Sequence, residues 1–183
     1  MSNLQVSTVP SAGRLAARSL AVSILVVGAI LLVLGPKTWG FFASAFQDAH
    51  LHAPRLDLIA DASPAIQIHL YTVLAAFLLA TIQMVGPKGR TLHRILGWTL
   101  AVLFVTTAIA SLFITNPGGG WFNPFQLFSA WTLIGMPLGL LAARRHNVAF
   151  HARMMTGFYT GALIIAGVLT FMPGRLMWRV FFG

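Results

Sequence analysis

Histidine is the side chain whose type and spacing in this sequence suggest chemistry inside an apolar body. There are six: His50, His52, His69, His93, His146 and His151. His93 and His151 each stand at the start of a long apolar run, at matching depth, with Arg94 and Arg153 close by. A b-type haem takes two axial ligands at equal depth on facing helices, with cations near its propionates. His93 with His151 meets that condition. His69 with Gln126 offers a second pair at the opposite side, although glutamine is a poor axial ligand. The structural alternative is that His93 and His151 are interfacial caps, bonding helix ends or lipid phosphates. Spacing alone leaves both readings open.

Asp48, His50 and His52 form a D-x-H-x-H pattern that can hold a divalent metal through carboxylate and imidazole. The competing reading is a solvated or interfacial loop. His146 follows Arg144 and Arg145 and belongs to a basic loop. Much other chemistry is excluded. There is no cysteine, hence no disulfide, thiolate site or cysteine nucleophile. Gly118-Gly119-Gly120 opens no phosphate-binding helix and reads as a turn. No catalytic set of paired carboxylates or Ser/His/Asp is present at membrane depth, so no enzyme activity is assigned.

The elements that carry these histidines are transmembrane helices. Of the 183 residues 57% are apolar and only 8% charged, against about 25% charged in soluble domains. A bilayer core needs about 20 apolar residues per helix. Five runs qualify: 16–34, 65–85, 95–115, 125–143 and 154–172. Ser63-Pro64 starts the second and Gly86-Pro87 stops it; Pro173-Gly174 stops the fifth. The loop 116–120 breaks the third from the fourth. The predicted fold is an all-α integral membrane protein, a bundle of five transmembrane helices in one domain spanning 1–183. Residues 1–13 read as a disordered N-terminus, and 36–64 as an outer interfacial segment. The C-terminal tail is interfacial too, with Arg175 and Arg179 on one face and Leu176, Trp178, Val180, Phe181 and Phe182 facing the headgroup boundary. A cleavable signal in place of the first span is disfavoured, because the small-residue site Ala43-Ser44-Ala45 lies too far beyond the apolar run.

The net charge of +9 is a topology signal. With the N-terminus inside, Arg14, Arg18, Lys88, Arg90, Arg94, Arg144, Arg145 and Arg153 are all cytoplasmic. Lys37, Arg55, Arg175 and Arg179 lie outside, together with Asp48, Asp57 and Asp61. This is the positive-inside rule, and it places the chain in a bacterial inner membrane with its C-terminus outside. The partner is the lipid bilayer, and nucleic acid is not needed to explain the charge. No Asp, Glu, Lys or Arg falls at mid-membrane, which removes the usual hardware of ion-coupled transport.

In lipid, small and polar residues mark the faces that pack. His69, Ala76, Ala80 and Gln83 form one stripe, and His93, Gly97, Ala101, Ala108, Ser111 and Thr115 another. His151, Met155, Phe158, Ala162 and Ala166 form a third. Gly135/Gly139 and Gly157/Gly161 are GxxxG pairs at matching depth and predict close antiparallel packing of the last two spans. Pro137 should bend the fourth.

Several of these residues recur together in a known family. The chain carries Gly86-Pro87-Lys88-Gly89-Arg90, then His93-Arg94-x-Leu96-Gly97, Asn123-Pro124-Phe125-Gln126-Leu127, His151-x-Arg153-Met154-Met155 and Pro173-Gly174-Arg175. Over about 65–183 this resembles the bacterial membrane proteins grouped as domain of unknown function 2306. The family pattern often has histidine where this chain has Gln126, a departure that weakens the outer ligand pair. The resemblance implies the topology and the three histidines His69, His93 and His151, and no reaction. The arrangement is also similar in architecture to cytochrome b561-like proteins, whose consecutive helices hold haem through histidines. Three functions are weighed: a haem b electron-transfer protein, a non-catalytic accessory subunit of a membrane complex or homo-oligomer, and a small-solute transporter.

Overall fold

A computed structural model describes residues 14, 17–18, 20–21, 24–25, 28, 40, 43–47, 49–114 and 126–182. The chain is all-helical there, with no strand among the described residues. Four described helices are long and apolar enough to cross a membrane. The predicted first span lies mostly outside the described residues; those of its positions that are described are helical. The predicted disordered stretch, 1–13, lies wholly outside them.

A short helix α1 (Asp57–Ala60) precedes the first described span, α2 (Pro64–Val85). Ser63 holds an extended backbone conformation and Pro64 opens the helix, where its missing N–H costs nothing. Gly86 ends α2, and Gly89, at φ 79°, makes the turn that a side chain would strain. The next span, α3 (Thr91–Leu112), starts earlier than its apolar run, so His93 and Arg94 are helical. It is followed by α4 (Gln126–Arg144), with Pro137 inside it. The last span, α5 (Val148–Leu169), begins before the predicted start at 154. Asn147 explains this, since its Oδ1 accepts from the Phe150 N–H at 3.1 Å and caps a helix that already contains His151 and Arg153. The middle of α5, Phe158–Ile165, is wound as a π-helix. After a turn at Gly174 (φ 85°) comes α6 (Leu176–Phe181).

The spans follow an up-and-down order in which α2 packs on α3, α3 on α4 and α4 on α5. The π segment of α5 meets α2 and closes the ring. Ala76, Ala80, Leu100, Ala101, Phe104, Met136, Phe158 and Leu163 form the core. Large side chains such as Leu78, Val102 and Ile134 face outward, as helices surrounded by lipid require.

The predicted glycine contact exists. A methyl group at Gly135 would lie 2.8 Å from the Phe158 ring, and one at Gly139 would lie 2.6 Å from the Met155 Cε. Gly157 and Gly161 receive the six-membered ring of Trp131. Small residues therefore bring α4 and α5 together by van der Waals packing. The glycines are taken up by this contact.

The C-terminal segment differs from the expectation. Trp178 and Val180 are buried in the protein instead of facing the headgroups. The outer segment covers them: the His52 N–H donates to the Phe181 carbonyl (3.1 Å), the Arg55 N–H donates to the Val180 carbonyl (3.0 Å), and Phe46 meets Trp178 edge-on at 5.0 Å. The last carbonyls of α6 have no partner within the helix, and the backbone N–H groups of the non-helical stretch 52–55 satisfy them.

Candidate functional site

The two ends of the bundle hold the polar groups, and they are built differently. At one end, the third residue of α3 and the fourth of α5 place His93 and His151 at the same depth. Their ring centroids are 6.5 Å apart, with the planes at 83°. His151 is oriented from α4: its Nδ1–H donates to the Gly139 carbonyl at 2.9 Å. A carbonyl only accepts, so Nδ1 carries a proton, and in the neutral imidazole that leaves the lone pair on Nε2. This is the arrangement by which a backbone carbonyl fixes a metal-binding imidazole. His93 is held through its backbone, whose carbonyl accepts a 3.0 Å bond from Gln83 Nε2 of α2. Gln83 passes beside Gly97 on the way, where an added Cβ would lie 3.4 Å from its amide nitrogen. The His93 Nδ1 is buried without a hydrogen-bond partner among the described residues. Such an atom costs stability unless something bonds it.

Arg94 and Arg153 are both exposed at this end. Arg144 lies 5.3 Å over the Trp98 ring and ties the last turn of α4 to the first turns of α3.

At the other end, a cavity of about 770 Å³ opens between all four spans. His69 and Gln126 both line it, so the second predicted pair does share one space. His69 is anchored by its Nδ1–H, which donates to the Thr107 carbonyl at 3.0 Å. Nearby hydroxyls spend their protons within the wall. Thr107 Oγ1 donates to Thr72 Oγ1 at 2.7 Å, Thr132 Oγ1 donates to the Phe128 carbonyl at 2.8 Å, and Ser111 bonds Ser129. Arg175 and Arg179 line the cavity from the C-terminal segment.

Of the D-x-H-x-H pattern, only the two histidines are described. His52 Nδ1–H donates to the Ala53 carbonyl at 2.8 Å, His50 is exposed, and Asp48 lies outside the described residues. Among the described residues no group of three His, Cys, Asp or Glu side chains could hold a metal ion.

His69, His93, His151 and Gln83, placed by the sequence on small-residue stripes, are all half-buried between the helices. The Gly139 carbonyl, Asn147 and the π segment were missed from the sequence. A backbone carbonyl has no sequence signature, whereas Asn147 directly before an apolar run was a readable cap.

A helical bundle whose spans expose large aliphatic side chains and meet through alanine and glycine is a multi-pass membrane protein. The family model described as "Predicted membrane protein (DUF2306)" matches residues 66–182, well over half of the chain, and the protein belongs to that family. No curated protein and no solved structure matches it.

Proposed function

We propose that this is a membrane electron-transfer protein that binds haem b between His93 and His151. One observation carries the reading, the 6.5 Å between the two ring centroids. Two imidazoles on opposite sides of one metal, each bonded at about 2 Å, have centroids about 6.3 Å apart. The same distance also suits a bare edge-on contact between rings. Against that simpler state stand the fixed tautomer of His151 and the unpartnered buried Nδ1 of His93.

The residues divide the work. Gly139 aims His151, and Gln83 fixes the first turns of α3 and with them His93. The exposed guanidiniums of Arg94 and Arg153 supply cations for two propionates at the membrane boundary. When bound, the haem iron supplies a one-electron couple, tuned by its axial ligands and by burial.

The charge count supports an N-terminus inside a bacterial cytoplasmic membrane, which puts the pair at the cytoplasmic face. A reporter fused after Arg145 should be cytoplasmic. The principal test is an optical spectrum of protein purified from haem-replete cells. A Soret band that shifts on reduction and disappears in His151→Ala is the expected result. A colourless protein, or a band indifferent to both His93→Ala and His151→Ala, would falsify the assignment.

A further inference from the structure

We infer that the cavity at the His69 end is a binding site for an amphiphile, an acyl chain that ends in an anionic group, carboxylate or phosphate. The inference is independent of the haem reading, since it concerns the opposite end of the bundle.

The space comes first. Protein interiors hold few voids larger than a water molecule, and ligand sites run from about 300 to 1,000 Å³. The cavity, at about 770 Å³, falls within that range. α5 contributes to the wall from its π-helix, Phe158–Ile165, where the small residue Ala162 lines the lumen. Mid-helix π turns gather at functional sites.

The wall then selects an alkyl chain over water. Water is held by two to four polar partners. Here the Thr107, Thr132, Ser111 and Ser129 hydroxyls are bonded within the wall, and the rest of the lining is mostly aliphatic and aromatic. Charge selects the head. Arg179 lines the cavity and makes no ion pair with a described residue, and no carboxylate among the described residues lines it. The nearby Asp57 of α1 is already paired with Arg55 at 3.2 Å. A guanidinium at the edge of an apolar chamber fits a carboxylate or phosphate by charge-assisted hydrogen bonds. The competing occupant is a second haem ligated by His69, whose Nε2 makes no hydrogen bond with a described residue.

The test is native mass spectrometry of the full chain in a neutral detergent. Sodium hexadecanoate and dihexadecanoyl phosphatidylglycerol are offered in separate arms, with hexadecan-1-ol as the uncharged control. One adduct per chain is expected in at least one anionic arm, and the arm that gives it identifies a free fatty acid or a bilayer lipid as the source. Arg179→Gln should weaken that adduct about tenfold, as loss of a charge-assisted bond implies, and Arg179→Lys should retain most of it. Ala162→Phe should remove the adduct by filling the lumen. Arg179 is exposed, so its variants keep the test decisive even where Ala162→Phe does not fold. Equal binding of hexadecan-1-ol, no adduct in either anionic arm, an adduct indifferent to Arg179→Gln, or haem absorbance lost in His69→Ala would each overturn the proposal.

Discussion

The two ends of the bundle use histidine in opposite ways. At the His93/His151 end, two imidazoles from non-consecutive helices lean toward each other across a region where α4 and α5 are drawn tight by glycine. At the His69 end, a single imidazole is tied back to the neighbouring helix, and the space in front of it stays open. His69 and His151 each bond a carbonyl of a neighbouring helix through Nδ1, so both offer Nε2. What differs is whether a second ring stands opposite. Anchoring an imidazole is a local matter, and making a two-ligand site requires two helices to agree in depth and rotation.

That contrast can be broken most sharply by removing one ring at a time. His151→Ala should abolish haem absorbance altogether, while His69→Ala should leave it intact; the reverse pattern in reduced-minus-oxidised spectra would move the redox site to the other end. Next in size is the glycine seam that sets α5 against α4. The Phe158 ring, 1% exposed, cannot retreat from a methyl at Gly135. Gly135→Ala should therefore lower thermal stability by about 1–3 kcal/mol in a melting assay monitored by size-exclusion chromatography. Gly139→Ala meets chiefly the flexible end of Met155, and its cost should stay under about 1 kcal/mol, the lower edge of the overpacking range. Equal losses in the two variants would mean that Phe158 is not the rigid element of the seam. The smallest effect concerns Gln83. Its bond to the His93 carbonyl is one interhelical hydrogen bond in a membrane, worth about 0.6 kcal/mol. Gln83→Leu should barely move the melting temperature yet broaden or shift the haem band, because α3 loses a register contact beside the ligand. An unchanged spectrum would show that His93 is positioned without it.

Much of this was readable from residues alone. The stripe through Ala76 and Ala80 and the stripe through Ala101 and Ala108 are the buried faces of α2 and α3. The two GxxxG pairs do pack α4 on α5. These succeed because in lipid the close contacts go to small residues, and size is visible in a sequence. The failures have a common cause. The apolar run suggested a span starting at 154, yet polar side chains are tolerated in the first turns of a helix at a membrane boundary, and Asn147 caps that helix. Trp178 and Val180 looked like lipid-facing anchors, but the outer segment covers them through backbone bonds that carry no side-chain signature. The π segment 158–165 contains no proline to announce it.

Which stretches cross the bilayer, and which faces of them touch, are written in the chain itself, since hydropathy and side-chain volume belong to each residue wherever it lies. The meeting of His93 with His151, and the chamber in front of His69, are not. They depend on how far each helix rotates and slides against its neighbours, a balance of many weak contacts summed over residues far apart in sequence, and only the assembled bundle strikes it.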